Sequence, residues 1–244
     1  FSVKFTVTDS RGKSDPTPAA IQVTVNNPVV PGLQEQTSSL QLLRQDSLTE
    51  PVIRFKDTLP RFAAVQVPIP DTVEDDAVVR SLYYFGKYRN LYRMYDPEEQ
   101  LYLRRIKTDS SGGKHVFFRQ KKGGTTVFGA EVVIHFEGEK VTGTSGSYLP
   151  DIPWFAPPVI DVKQAQGIAV QTAPGINTKV IGESLLMYFN GGLLGLQDRT
   201  TRLAWRIVIN GRRNSDDAQT LWTTLIDAHS GQLLFRVDEM RTGD

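Results

Sequence analysis

Apolar and polar residues alternate along most of this 244-residue chain, the period of half-buried strands, and helical spacing breaks in at a few places. Phe1, Val3, Phe5 and Val7 alternate with polar neighbours, Asp9-Ser10-Arg11-Gly12 turns, and Ile21, Val23 and Val25 alternate again, which predicts two strands within residues 1–27. Two strands cannot bury a core on both faces, so this piece must pair with an edge elsewhere, pair with another molecule, or remain loosely held. Asn27-Pro28-Val29-Val30-Pro31-Gly32 reads as a linker, because two prolines restrict the chain and remove donors. Residues 28–73 as a whole read as a linker and an irregular arm. Leu40 and Leu43 give weak helical spacing there, and 52–55 and 63–67 are short strand candidates.

After Thr72-Val73-Glu74-Asp75-Asp76 the period becomes helical. Asp75 or Asp76 can accept from the free N–H groups at the helix start, and Val78, Leu82 and Phe85 form an apolar stripe with Val79 beside it. The run is expected to reach Met94 and to stop before Pro97. A strand over 102–106 and a turn at Ser110-Ser111-Gly112-Gly113 lead to residues 115–151, which two glycine-marked turns divide into three strands. Gly123-Gly124 supplies the positive torsions of a tight hairpin. On the middle strand Phe128, Ala130, Val132, Ile134 and Phe136 are placed toward the core, opposite Val127, Glu131 and His135. Gly129 sits inside that strand, where glycine weakens pairing unless packing, a bulge or a partner's close approach requires it.

A second part opens with Ile160, Asp161 and Gln164 at the N′, N-cap and N3 positions of a helix whose apolar face is Val162, Ala165, Ile168 and Ala169. Pro174-Gly175 ends it, and strands are predicted over 179–189, 201–209, 219–227 and 232–237. The loop holding Leu193, Leu194 and Leu196 is apolar for a connector, so its leucines either cap the core or meet a partner. The fold class is therefore α+β: two small units over 74–152 and 161–240, each a helix packed on an antiparallel meander. Pro153, Pro157 and Pro158 stiffen the joint at 153–160, and Trp154 and Phe155 are expected to anchor in the groove between the units. Residues 241–244 form a tail.

Composition narrows the chemistry. The chain has no cysteine, which removes disulfides, thiolate nucleophiles and thiolate metal ligands together. It starts with Phe1 inside a strand pattern, as an excised piece of a longer protein would. Net charge is +1, yet residues 78–122 hold eleven Lys and Arg, among them Arg104 and Arg105, against four Asp and Glu. Tyr83, Tyr84, Tyr88 and Tyr92 are interleaved with those cations, which fits a basic helix face over a small core, a contact with an acidic partner, or nucleic acid.

Motifs for catalysis are missing. There is no His-Glu-x-x-His and no paired histidine motif, and His115, His135 and His229 are separated by a strand or a whole domain. Gly143-Thr144-Ser145-Gly146-Ser147 lacks the second glycine of a nucleophile elbow and sits in a meander rather than a strand-to-helix turn. The Gly-Gly pairs have no Gly-x-Gly-x-x-Gly helix start and no Walker lysine. Asp9 and Asp15 fall short of the oxygens a calcium ion takes. No catalytic residue, metal ligand or cofactor is expected in this chain.

Several spacings do resemble known families. His115 and Gln120, the Val127-Phe128-Gly129 step, the branched run 132–134 and the Gly146-to-Pro150 close with Asp151 resemble the fungalysin/thermolysin propeptide domain. Leu203-Ala204-Trp205-Arg206 and the stretch around Asp227 and Gly231 resemble the two end signatures of a PepSY domain, the usual second half of such propeptides. Residues 1–27 look like the last strands of an immunoglobulin- or cadherin-like sandwich. The resemblance implies a propeptide that inhibits a secreted thermolysin-like zinc protease and assists its folding. Zinc and calcium would then belong to the catalytic domain, the tail beyond Arg236 would lead toward that domain, and the location would be secreted or cell-surface. The sandwich-like piece points to the rival class, a non-catalytic structural, adhesive or regulatory module of a surface protein. Arg104, Arg105, Trp154, Leu193, Leu194 and Arg236 are the candidate partner contacts.

Overall fold

The computed structural model describes residues 30–213 and 218–240. The strands expected within 1–27 and the tail 241–244 lie outside them. The chain runs α1 (Leu33–Asp46), β1 (Val52–Lys56), β2 (Leu59–Pro68), α2 (Ala77–Lys87), α3 (Arg89–Tyr92), α4 (Pro97–Gln100), β3 (Leu101–Thr108), β4 (Lys114–Lys122), β5 (Thr125–Glu137) and β6 (Lys140–Ser147). It continues through α5 (Val162–Gln171), β7 (Ile176–Phe189), a short 3₁₀ turn (Gly191–Leu194), β8 (Arg202–Arg212), β9 (Gln219–Asp227) and β10 (Leu233–Asp238). Antiparallel pairing orders the first sheet β1-β2-β6-β5-β4-β3 and the second β7-β8-β9-β10. One parallel pair, Val127 with Tyr188, joins them, so the architecture is α+β with helices on a mixed sheet.

Residues 33–68 are not an irregular arm. Leu43, Leu59, Ala63, Val65 and Val67 are buried in the main core, and β2 pairs with β6 from Phe62–Ser145 to Pro68–Lys140. The buried Gln36 side chain ties α1 down by donating to the Thr58 carbonyl at 2.7 Å and the Leu91 carbonyl at 2.8 Å. Alternation in β2 was readable, but its partner lies far along the chain, and short-range patterning does not report such pairings.

The helix expected to reach Met94 is divided. Asp76 caps α2 through the N–H groups of Val78 and Val79 at 2.8 and 2.9 Å. The run then breaks at Tyr88 and stops at Arg93, whose φ is 53°. Pro97 does not merely stop it: as an N-terminal residue of α4, capped by Asp96, it begins a new turn. The break turns Tyr84, Phe85, Tyr88 and Tyr92 inward together, with edge-to-face rings at 4.8 Å (Tyr84–Tyr88) and 5.1 Å (Phe85–Tyr92). These residues form the buried face, while Val78 and Leu82 are half-buried at its margin. Their hydroxyls are satisfied, Tyr92 by Thr144 at 2.7 Å and Tyr88 by Asp46 at 2.7 Å. Three of the four interleaved tyrosines are thus core residues with no face for a base to stack on.

In β5 the expected alternation holds for Ala130, Val132, Ile134 and Phe136, all buried. It fails N-terminal to Gly129, whose φ of +76° breaks the two-residue period. Val127 therefore joins the main core, and Phe128 crosses to a separate cluster with Phe189 and Phe235, at ring distances of 6.3 and 6.1 Å. In the second half the capping box forms as read, Gln164 N–H to Asp161 at 2.8 Å and Asp161 N–H to Gln164 at 3.0 Å. Ala165 and Ala169 press α5 onto Ile207, Ile209, Trp222 and Ile226.

Candidate functional site

Most of the singled-out signature residues close the backbone on itself. Gln120 in β4 is buried and grips the segment after β6 at both polar ends, donating to Leu149 O at 2.6 Å and accepting from Leu149 N–H at 2.9 Å. Gly146 leaves no room for a side chain, since a Cβ would lie 2.2 Å from the Glu131 carbonyl oxygen. Asp227 accepts from His229 and Ser230 N–H, each at 2.8 Å, and faces Arg202 at 3.5 Å. Burial alone would raise this carboxyl, but those N–H groups and Arg202 outweigh it and hold it below the usual range. Gly231 turns with φ +75° beneath Ile168, and Trp205 Nε1 donates to Ile160 O at 2.8 Å, locking the joint onto β8.

His115 and His135 are not far apart. The β4–β5 register sets them directly opposite, because the Gly123-Gly124 turn folds one strand back on the other. Their Nδ1 atoms are 2.7 Å apart, His115 Nε2 is 3.1 Å from Asp109 Oδ2, and His135 Nε2 is 3.4 Å from Ser145 Oγ. A carboxylate only accepts, so His115 carries its proton on Nε2 and its Nδ1 receives the proton of His135 Nδ1. With ring centroids 4.9 Å apart, the His135 N–H points at the His115 lone pair across that gap. Burial, and then the neighbouring His115, lower the pKa of His135. Ser145 lies inside β6, half-buried and paired with Phe62 on one side and Val133 on the other. His229 binds the Ala156 carbonyl at 3.0 Å. Among the described residues no three His, Cys, Asp or Glu are grouped to hold a metal ion.

A concavity lies where the two sheets meet. It is a cleft of about 510 Å³ with arginines on both walls, Arg104 and Arg119 from the first sheet and Arg206 from the second. Its apolar lining comes from Val127, Phe128, Ala130, Leu185 and Met187, with Glu131 and Glu239 completing the polar rim. Arg104 is paired with Glu131. Gly129 exposes backbone here, and the Leu193–Leu194 turn covers the opposite side, with Leu194 Cδ2 only 3.0 Å from where a Cβ would stand. The apolar loop therefore caps the junction through Leu193, which packs on the main core, while Leu194 remains 38% exposed.

The other candidate contacts are used differently. Arg105 lies over the Phe117 ring at 4.3 Å. Arg236 is a clamp, donating to Thr224 Oγ1 at 3.0 Å, to Thr172 Oγ1 at 2.8 Å and to the Thr172 carbonyl at the end of α5, so it is not presented to a partner. Phe155, not Trp154, anchors the joint, with its ring 5.9 Å from Tyr188; Trp154 is 59% exposed, lying beside Gly123 and 4.8 Å from Lys122 Nζ. Arg119 entered the sequence reading only as one cation of eleven, and Arg206 only as part of a signature. Counting outward from the hairpin turn sets Arg119 opposite Phe128, and the register shift before Lys121 sets it opposite Glu131 instead, so local spacing carried no signal for the first.

Residues 99–148 match the family model described as the Fungalysin/Thermolysin Propeptide Motif. No curated protein matches the chain. Among solved structures, the Bacillus megaterium YpeB C-terminal domain is similar over 84% of this chain and 95% of its own, at 16% identity and a TM-score of 0.37. No helix among the described residues is long and apolar enough to cross a membrane.

Proposed function

We propose that this chain is a non-catalytic regulatory module, secreted or displayed at the cell surface, that holds a partner polypeptide against the junction of its two sheets. The observation carrying this reading is the cleft itself: a wall from each sheet, an apolar lining and cations. Two units, 74–152 widened by the β1–β2 hairpin and 161–240, supply its walls. Hydrolysis of a peptide, ester or phosphate substrate by the purified chain, abolished on changing His115 or Ser145, would overturn the non-catalytic part.

The propeptide-motif match over 99–148 favours a narrower second reading, a prodomain that inhibits a thermolysin-like zinc protease and assists its folding. Inhibition would be steric, the partner's substrate channel being covered by an antiparallel edge or a tail. Titrating the full chain into a thermolysin-like catalytic domain while following cleavage of a fluorogenic peptide separates the two. Inhibition together with improved enzyme refolding supports the prodomain; neither effect at ~50 µM, weak even for an untethered partner, leaves the general module.

A further inference from the structure

The junction cleft has features that specify its occupant more narrowly than partner binding does. Of its three guanidinium groups only Arg104 is neutralised, by Glu131. Arg119 and Arg206 stand on opposite walls without an ion pair or hydrogen bond among the described residues. Two unpaired guanidinium groups in a cleft call for an anion with planar acceptor geometry. The rim also carries Glu131 and Glu239, so three arginines less two carboxylates leave the cleft a net charge of +1, too little to hold a densely charged ligand such as a polyphosphate or a nucleic-acid backbone. The balance suits a single carboxylate.

The remaining surfaces describe what surrounds that carboxylate. Phe128, Leu185 and Met187 offer apolar contact on the floor, with Leu185 40% exposed. Phe128, Gly129 and Ala130 have no cross-strand partner, since the β4 register passes from Glu131 to Thr126, the β6 register ends at Glu131 and the β7 pair is confined to Val127. A stretch of strand with no residue opposite it beside an open cleft is a line along which an extended segment can lie. A volume near 510 Å³ accommodates a few residues of such a segment.

We propose that this cleft binds an extended peptide bearing one carboxylate side chain between apolar residues, the carboxylate held between Arg119 and Arg206 and its neighbours resting on Phe128, Leu185 and Met187. The proposal rests on the partner-binding reading and adds the chemistry of the segment. The test is fluorescence anisotropy with a labelled, end-blocked pentapeptide Val-Leu-Glu-Leu-Val and its Gln analogue, against the full chain at low salt. The Glu peptide should bind about tenfold more tightly than the Gln peptide, the loss expected for a charge-assisted hydrogen-bonded pair. R119Q and R206Q should each erase most of that preference, while K163Q, on the exposed face of α5, should keep it. Equal binding of the two peptides, unchanged preference in both arginine variants, or displacement by inorganic phosphate as readily as by unlabelled Glu peptide would overturn the proposal. Circular dichroism of the variants guards against loss of fold. Inhibition of a protease domain that persists in R119Q/R206Q would overturn this site and leave the partner-binding function standing.

Discussion

Replacing Gly129 with alanine tests how the junction is built. The residue has φ +76°, where a non-glycine residue costs about 1–2 kcal/mol. Against this, alanine restricts the unfolded chain and returns roughly 0.5 kcal/mol. The new Cβ would stand 3.0 Å from Leu194 Cδ2, so the leucine must give way; being 38% exposed, it can rotate outward at a loss of roughly 1 kcal/mol of burial. Gly129→Ala should therefore cost about 1.5–2.5 kcal/mol, and Leu194→Ala alone about 1 kcal/mol. Because the alanine at 194 removes the obstruction, the double variant should be less destabilised than the sum by about 1 kcal/mol. Urea unfolding followed by the fluorescence of Trp154, Trp205 and Trp222 gives all three values. Strict additivity would show that Leu194 does not oppose a side chain at 129, and a neutral Gly129→Ala would show that the torsion is not imposed.

Three further outcomes follow from the capped turn, the histidine pair and the carboxylate beside it. Asp227→Ala strips the acceptor from two turn N–H groups and leaves Arg202 facing a buried gap, so denaturant unfolding should show a loss of about 2–4 kcal/mol. The lowered pKa of His135 means that the unfolded chain takes up its proton first, so stability should fall as pH drops through about 6.5 toward the folded value, and His135→Gln should remove that step. Asp109 is held at about 2 by the Ser111 hydroxyl and the Gly113 N–H, so its contribution should be present above 3.8, fade between 3.8 and 2, and vanish in Asp109→Asn.

Features set by neighbours in sequence were legible, and features set by distant pairing were not. The Asp161–Gln164 capping box and the strand over 219–227 needed only local chemistry and appear where expected. The interior of β5 was also correct, but a single glycine with positive φ was enough to exchange Val127 and Phe128 between two cores, and composition does not reveal which glycine in a strand will do so. The division of the helix expected to reach Met94 depended on Tyr88 and Tyr92 finding partners in α1 and β6. His115 and His135 looked remote because spacing was counted along the chain; counting outward from the hairpin turn would have set His115 opposite Val132, and only the register shift between Arg119 and Lys121 brings His135 there. Arg236 resembled a lead into a tail, and only the position of α5 made it a clamp. The cleft arginines were invisible as a site because Arg119 and Arg206 are brought together by the meeting of two sheets, 87 positions apart in the chain.

The pairing of β2 with β6 has a consequence for how the chain is made. Synthesis proceeds from the N-terminus, so β2 is complete at Pro68 while the first residue of its partner, Lys140, is still about seventy residues away. At roughly 5–20 residues per second the strand waits about 4–14 s on the ribosome with its inner edge unpaired. An isolated two-stranded hairpin is marginal in water, and β1 adds Val52 and Phe55, 56% and 47% exposed even in the finished fold. β1 and β2 are therefore synthesised well before they are secured, which makes the nascent β1–β2 hairpin a place for a chaperone to bind and for two growing chains to pair wrongly.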